Sequence, residues 1–192
     1  MNDKILKIQN ELKKYLDKER YDHTLGVMYT AGSMAMRYGE NLENTLIAGL
    51  LHDCAKCIPN EDKIQLCHQN NIPITDAELM NPGLLHAKLG AWLACNKYGI
   101  TDESILHSIA YHTTGCPDMS LLDKIIYIAD YIEPGRRELP NHPEVRKLAF
   151  TDIDACLLRI LGDSLRYFES RNMVTDPMTE KAYLFYRDQL NM

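Results

Sequence analysis

The sequence lacks several patterns, and each absence excludes a class of protein. No run approaches the roughly 20 consecutive apolar residues of a membrane span, and the charged N-terminus lacks the apolar segment of a secretory signal. No block of Lys and Arg is long enough for a nucleic-acid footprint, and the formal net charge is -6. We therefore expect a cytoplasmic protein that binds neither membranes nor nucleic acid.

The six cysteines lack the spacing of a disulfide framework or of a zinc site. Cys54 and Cys57 form a C-x-x-C pair. Zinc would need a second Cys or His pair, however, and redox chemistry would need a strand–helix–strand context. We interpret these cysteines as free structural thiols in a reducing compartment.

The chain also lacks alternating apolar and polar segments, so the sequence predicts no sheet. Apolar residues recur at helical spacing instead, which predicts an all-α protein. Its 192 residues suit one domain, 1–192. The predicted helices cover about residues 5–16, 21–38, 42–53, 60–70, 82–98, 101–112, 120–132, 143–149, 151–171 and 177–191.

The helices at about 143–191 are predicted to pack as additional C-terminal helices on the preceding part of the chain. Their apolar residues are either core, which is the default interpretation, or the face of a homodimer. These residues are Leu157, Leu158, Ile160, Leu161, Leu165 and Phe168.

His52 and Asp53 directly follow the apolar run 46–51. Burying a carboxylate is costly unless it is paired or binds a metal. His23, His86, His112 and Asp130 also lie beside or within apolar sequence. These six N/O ligands suffice for two divalent ions, and the two oxygens of Asp53 could bridge them. Histidine and carboxylate suit Fe, Mn, Zn, Co or Ni, and two such ions support phosphate-ester or anhydride hydrolysis.

Each ligand also has a structural interpretation. A lone helical histidine such as His23 is usually a core or surface residue. His112 could act as a helix cap, and Asp130 could pair with Lys124 or an arginine. We interpret the remaining histidines, His68, His107 and His142, as structural or surface residues.

The order of these ligands resembles that of the HD-domain metal-dependent phosphohydrolase superfamily, and the sequence motifs around them resemble those of its YqeK family. The motifs are Arg20–Val27, His52–Lys56, Leu84–Ala87, Tyr111–Gly115 and Ile128–Arg136. The resemblance implies a single all-α HD domain with its motif-bearing core at about 18–136. It also implies symmetric hydrolysis of diadenosine tetraphosphate to two ADP by a metal-bound hydroxide at a di-iron centre.

The resemblance also implies a division of the ligands. One ion would bind His23, His52, Asp53 and Asp130, and the second would share Asp53 and bind His86 and His112. The sequence departs from the family at Cys116, where an arginine is usual. That change could weaken substrate binding or alter the preferred dinucleotide.

Five residues near the ligands are candidate substrate contacts. Lys56 lies one turn after Asp53, and we predict that these two residues are catalytic. Arg20 lies on the helical side of His23, and Arg136 follows the break at 134–135. Arginine suits bidentate phosphate contact. Backbone N–H groups at Thr113 and Gly115 could bind an anion. The alternatives are solvated charges, surface ion pairs and ordinary turn chemistry.

Three other functions remain open at this point. The protein could be an HD phosphohydrolase for another nucleotide, such as a nucleoside monophosphate, a deoxynucleoside triphosphate or a cyclic dinucleotide. It could be a nucleotide-binding regulatory module that has lost catalysis. It could also be a purely structural helical protein with scattered histidines.

Overall fold

The computed structural model describes residues 3–190, and over that range the chain is helical with no strand. The all-α prediction is confirmed. Met1, Asn2 and the predicted helical residue Asn191 lie outside the described residues. The helices are α1 (Asp3–Leu12), α2 (Lys18–Tyr38), α3 (Leu42–Leu51), α4 (Asn60–Gln69), α5 (Asp76–Met80), the 3-10 turn Pro82–Leu85, α6 (His86–Asn96), α7 (Glu103–Tyr111), α8 (Leu121–Ile132), α9 (His142–Thr151), α10 (Ile153–Ser170) and α11 (Pro177–Leu190).

Caps explain two of the differences from the predicted helices. Helix α2 begins three residues early because the Asp17 carboxylate accepts a hydrogen bond from the Arg20 N–H at 2.8 Å. It ends at Gly39, as predicted, with φ of 79°. Helix α5 was not predicted, although Thr75 and Glu78 form a capping box at its start. Helix α1 stops at Leu12 instead of continuing to about residue 16.

Helix α3 ends at Leu51, and turns follow it through Cys57. His52 and Asp53 therefore lie in the turn directly after the helix, not on its last residues as predicted. The helix predicted over 82–98 is divided as well. Pro82–Leu85 forms a 3-10 turn, and α6 begins at His86.

Helix α3 lies centrally and packs against α1, α2, α6, α7 and α8. The core around it is a cluster of buried apolar residues that extends from Ile5 to Tyr186. Leu157, Ile160 and Leu161 are buried in this cluster, which favours core over a dimer face for that side of α10. The single domain and the homodimer stay predictions. No helix among residues 3–190 is both long and apolar enough to cross a membrane.

Gly49 allows α3 to approach α2 closely. A Cβ atom at this position would lie 2.9 Å from Met28 Cα and 3.2 Å from Met28 N, and neither backbone atom can move independently of α2. The close approach places the residues after α3 beside His23 on α2. The His23 and His52 ring centroids are 5.3 Å apart.

We predict that Gly49→Ala destabilises the protein by roughly 1–3 kcal/mol, because the added methyl group overpacks a contact between two backbones. Urea denaturation measures the free energy of unfolding. Gly32→Ala is the matched control, since its Cβ would meet the movable side-chain end of Leu46 at 2.9 Å. Alanine is also the better helix former by about 1 kcal/mol. Equal destabilisation by both variants would contradict the close-approach argument.

Candidate metal centre

The six predicted ligands converge at one buried place, although they come from five segments. His23 lies within α2 and Asp130 near the end of α8, while His86 begins α6. The other three lie in the turns after helices, His52 and Asp53 after α3 and His112 after α7. The four rings form a continuous row. Centroid distances are 5.3 Å for His23–His52, 5.0 Å for His52–His112 and 4.9 Å for His112–His86.

Each imidazole has its Nδ1 atom against an oxygen that fixes the tautomer. The Nδ1 atoms of His52, His86 and His112 lie 2.7, 2.6 and 2.7 Å from backbone carbonyl oxygens. A carbonyl oxygen only accepts, so Nδ1 carries the proton and Nε2 carries a lone pair. His23 Nδ1 lies 2.9 Å from the carboxylate of Glu133. Such outer hydrogen bonds are typical of metal-binding histidines.

The Nε2 atoms face one another and the two carboxylates. Nε2 of His86 lies 3.0 Å from Nε2 of His112, so two lone pairs meet unless a cation or a proton lies between them. Among the described residues, the buried Nε2 atoms of His23 and His52 and the Oδ1 atom of Asp53 have no hydrogen-bond partner. Buried polar atoms are costly without a partner. The donor set therefore fits metal binding.

Asp53 presents one oxygen to each half of the row. Its Oδ2 atom lies 3.8 Å from His23 Nε2 and 3.6 Å from His52 Nε2. Its Oδ1 atom lies 3.1 Å from His86 Nε2 and 3.5 Å from His112 Nε2. This is the arrangement that a bridging carboxylate requires.

Two overlapping groups have ligand atoms close enough to hold one ion each. The first is His23, His52 and Asp130, and the second is His52, Asp53 and His112. Asp130 Oδ1 lies 3.0 Å from His23 Nε2. His86 is in neither group, but its contacts with Asp53 and His112 place it at the edge of the second.

Neighbouring groups at the centre keep both carboxylates ionised in spite of their burial. Burial acts to raise the pKa of Asp53, but His52, His112, His86 and Lys56 hold it well below its ordinary value. Burial likewise opposes ionisation of Asp130, but the nearby His23 and His52 rings and the charge of Arg136 keep its pKa well below the usual range.

Burial also lowers the pKa of His86 to about 4, although the nearby Asp53 carboxylate opposes the shift. At neutral pH the two carboxylates are therefore ionised and the His86 ring is uncharged. These are the protonation states that bind metal.

All three cations predicted as substrate contacts lie at the centre. Arg20 donates to Asp53 Oδ2 at 2.6 Å. Arg136 pairs with the Asp130 carboxylate and donates to its backbone carbonyl at 2.8 Å. Lys56 Nζ lies 3.2 Å from His86 Nε2 and 3.8 Å from Asp53 Oδ1. The Thr113 hydroxyl lies 3.2 Å from Nε2 of both His86 and His112, so this residue brings its side chain to the centre.

Gly115 does not offer the free N–H that the sequence interpretation assigned to it. Its N–H donates to the Tyr111 carbonyl at 2.8 Å. A Cβ atom there would contact Leu161 and Ala182, which belong to the C-terminal helices. The expected anion contact is wrong for this N–H, and the positive φ of 66° suits a glycine in the turn.

The neighbouring Cys116 is buried in the core cluster, and burial raises the pKa of its thiol to about 11. An arginine at this position would have to leave the core to reach a substrate.

The sequence interpretation missed Glu133 as a supporting residue. Its side chain is 2% exposed, and it accepts hydrogen bonds from His23 Nδ1 at 2.9 Å and from the Gly135 N–H at 2.6 Å. Gly26 makes room for it, because a Cβ there would lie 2.3 Å from Glu133 Oε2. The sequence did offer a signal for Glu133, because this acidic residue lies one helical turn after Asp130 and directly before Pro134.

His142 was expected to be structural or a surface residue. It is 1% exposed, so the surface interpretation is wrong, and its ring packs edge-on against Tyr131. His107 is partly exposed and pairs with Asp123 at 3.0 Å, while His68 is exposed.

The family model of the HD domain matches residues 20–135, which include all six predicted ligands. The chain belongs to the HD-domain family, whose hydrolases depend on metal.

Similar proteins narrow the class. A Bacillus subtilis protein named "Bis(5'-nucleosyl)-tetraphosphatase, symmetrical" is 41% identical over 174 residues, covering 90% of this chain and 91% of that protein. A Halalkalibacterium halodurans protein of the same name is 36% identical over 172 residues, with the same coverage. A Clostridium acetobutylicum crystal structure, described as a predicted HD superfamily hydrolase involved in NAD metabolism, has a TM-score of 0.92 and 42% identity. It covers 95% of this chain and 96% of that chain. The resemblance to the YqeK family is confirmed.

We predict that Glu133→Ala weakens metal binding by about 10- to 100-fold, as loss of an outer hydrogen-bond partner does elsewhere. His23 would lose the acceptor that orients its ring. Competition with a chelator measures the metal dissociation constant.

Glu138→Ala is the matched control, because the Glu138 side chain is 72% exposed and lies away from the ligands in an ion pair with Arg146. Gly26→Ala should resemble Glu133→Ala, since its methyl group displaces the same carboxylate. Unchanged metal affinity in both would show that Glu133 does not position His23.

Proposed function

We propose that this protein is a metal-dependent hydrolase that cleaves diadenosine tetraphosphate symmetrically into two ADP. The observation that carries the proposal is the set of four Nε2 lone pairs arranged around both oxygens of Asp53. The substrate is supported by the names of relatives that match nine-tenths of this chain.

The proposed cofactor is a pair of divalent ions, with iron as the native metal. His23, His52, Asp53 and Asp130 would hold one ion, and Asp53, His86 and His112 would hold the other. The donor set suits iron and also accommodates Mn, Zn, Co or Ni. Bound there, two ions supply an activated water nucleophile and neutralise phosphoryl oxygens.

The chain's own cations complete the site. Lys56 projects beside His86 and Asp53, where its ammonium group can hold a phosphoryl oxygen and stabilise developing negative charge. We assign Lys56 and Asp53 as catalytic. Arg20 and Arg136, beside the two carboxylates, can offer planar donor pairs to the polyphosphate. Thr113 adds a hydroxyl donor between His86 and His112.

We place the protein in the cytoplasm, with a nucleotide as its ligand and neither nucleic acid nor membrane as a partner. The six free cysteines suit a reducing compartment.

The products distinguish this proposal from its alternatives. Anaerobically purified, iron-loaded protein incubated with diadenosine tetraphosphate should yield ADP alone on chromatography. AMP with ATP, or released inorganic phosphate, would indicate a different phosphohydrolase. Binding without turnover would indicate the regulatory module.

We predict that Lys56→Ala lowers kcat for this substrate by about 100- to 1000-fold, the usual effect of removing one group that stabilises transition-state charge. Bound metal, measured by elemental analysis, should stay at the wild-type ratio because Lys56 carries no metal-binding lone pair when protonated.

Asp53→Ala should lose both metal and activity, because it removes both oxygens that the ligand row shares. The exposed Lys7 of α1 provides the matched control, and Lys7→Ala should leave kcat unchanged. If Lys56→Ala also lost its metal, the role assigned to Lys56 would be wrong.

A further inference from the structure

A long cleft leads away from the metal centre, between α2 on one side and residues 130–150 on the other. Its volume is about 1390 Å³, above the range of roughly 300–1000 Å³ that small-molecule pockets usually occupy. His23 and Asp130 line one end together with Arg20 and Arg136, and Tyr29 and Phe150 line the cleft beyond them. The cleft is therefore continuous with the centre and has room for a ligand that extends outward from it.

The α2 side of the cleft is one helical face. His23, Gly26, Thr30 and Ser33 recur on it at intervals of three or four residues, and Tyr29 lies beside Thr30. Tyr29 follows His23 by six residues, which is about 9 Å along the helix axis. A ligand whose phosphates contact the centre would thus meet Tyr29 with its next chemical group.

Three large apolar side chains remain exposed in this cleft. Tyr29 is 55% exposed, Leu139 40% and Phe150 36%. Apolar surface that lies together within a polar rim is typical of a binding site. The backbone at Phe150 is anchored to α2, because Arg37 donates to the Phe150 carbonyl at 2.9 Å and the Tyr38 hydroxyl donates to the Ala149 carbonyl at 3.0 Å.

The lining of the cleft is not acidic, although the chain carries a formal net charge of -6. It includes five cations and four carboxylates, and Arg20 and Arg146 also pair with Asp53 and Glu138, which lie outside the lining. Arg146 is held in place by the carbonyls of Ile132 at 3.0 Å and Glu133 at 3.5 Å. The cations are Lys18, Arg20, Arg136, Arg137 and Arg146.

His142 adds an unpartnered polar group to the same wall. It is 1% exposed, and neither ring nitrogen has a hydrogen-bond partner among the described residues. Burial and the nearby Arg146 lower its pKa, so the neutral ring carries one donor and one acceptor.

We propose that this cleft binds one nucleoside arm of the substrate, with the base against Tyr29 and Phe150 and the phosphates directed to Arg20 and Arg136. The inference rests on the proposed function and extends it by assigning the subsite for one half of the dinucleotide. Every base has a π face that stacks on an aromatic ring. The cleft should therefore accept adenosine and guanosine arms with similar affinity.

The test compares two ligands that differ by the nucleoside. ADP carries one arm, and pyrophosphate carries the diphosphate alone. Isothermal titration calorimetry on the full, manganese-loaded chain measures the dissociation constant of each. Tyr29→Ala should weaken ADP binding by about 10-fold or more, because stacking one base on an aromatic ring contributes that much. Pyrophosphate binding should stay within about twofold, since it makes no stacking contact.

Three further variants complete the comparison. Tyr29→Phe keeps the ring and should bind ADP as the wild type does, whereas Phe150→Ala should weaken ADP selectively. Tyr167→Ala is the matched control, because Tyr167 is 54% exposed but does not line the cleft. It should change neither ligand.

Unchanged ADP affinity in both Tyr29→Ala and Phe150→Ala would overturn the inference, as would an equal loss of ADP and pyrophosphate binding. Turnover of diadenosine tetraphosphate by the wild type tests the proposed function separately. Ring-dependent ADP binding without turnover would refute the hydrolase and keep the nucleoside subsite. Formation of ADP by a Tyr29→Ala variant with unchanged KM would keep the hydrolase and refute the subsite.

Discussion

The candidate centre depends on one constraint, which is that each of its four imidazoles has its Nδ1 proton committed to an oxygen of the chain. For His52, His86 and His112 the acceptor is the carbonyl three residues earlier, at a helix end or at the junction of the 3-10 turn with α6. Helix ends leave carbonyls without intrahelical partners, so local backbone geometry fixes the tautomer there. His23 lies within α2, where the carbonyls are used by the helix, and the chain supplies Glu133 instead.

Close packing at two glycines holds these histidines and their hydrogen-bond partners in place. Gly49 brings α3 against the backbone of α2, and its carbonyl is also the acceptor for His52. Gly26 leaves the space that the Glu133 carboxylate fills beside His23. Small residues at these two positions therefore set distances between ligands on different helices, and the buried rings have little freedom to adjust. Preorganisation of this kind lowers the cost of assembling a metal site.

Much of the fold could be predicted from the sequence, because apolar periodicity and caps such as Gly39 are local signals. The candidate ligands were also visible, since His52 and Asp53 follow a buried run. Their convergence could be expected only from the family resemblance, because no local pattern tells which helices meet. Glu133 was missed for the same reason, as its partner lies 110 residues earlier in the chain. The prediction of a free N–H at Gly115 was wrong because the Tyr111 carbonyl accepts its hydrogen bond. The burial of His142 could not be predicted because it arises only when α9 packs beside α8.

A crystal structure of the iron-loaded protein, with anomalous scattering measured at the iron edge, tests the central claim most directly. We expect two anomalous peaks, one on each side of Asp53, with Nε2 of all four histidines as ligands and each Nδ1 still hydrogen-bonded to the chain. A single ion, or coordination through any Nδ1 atom, would contradict it.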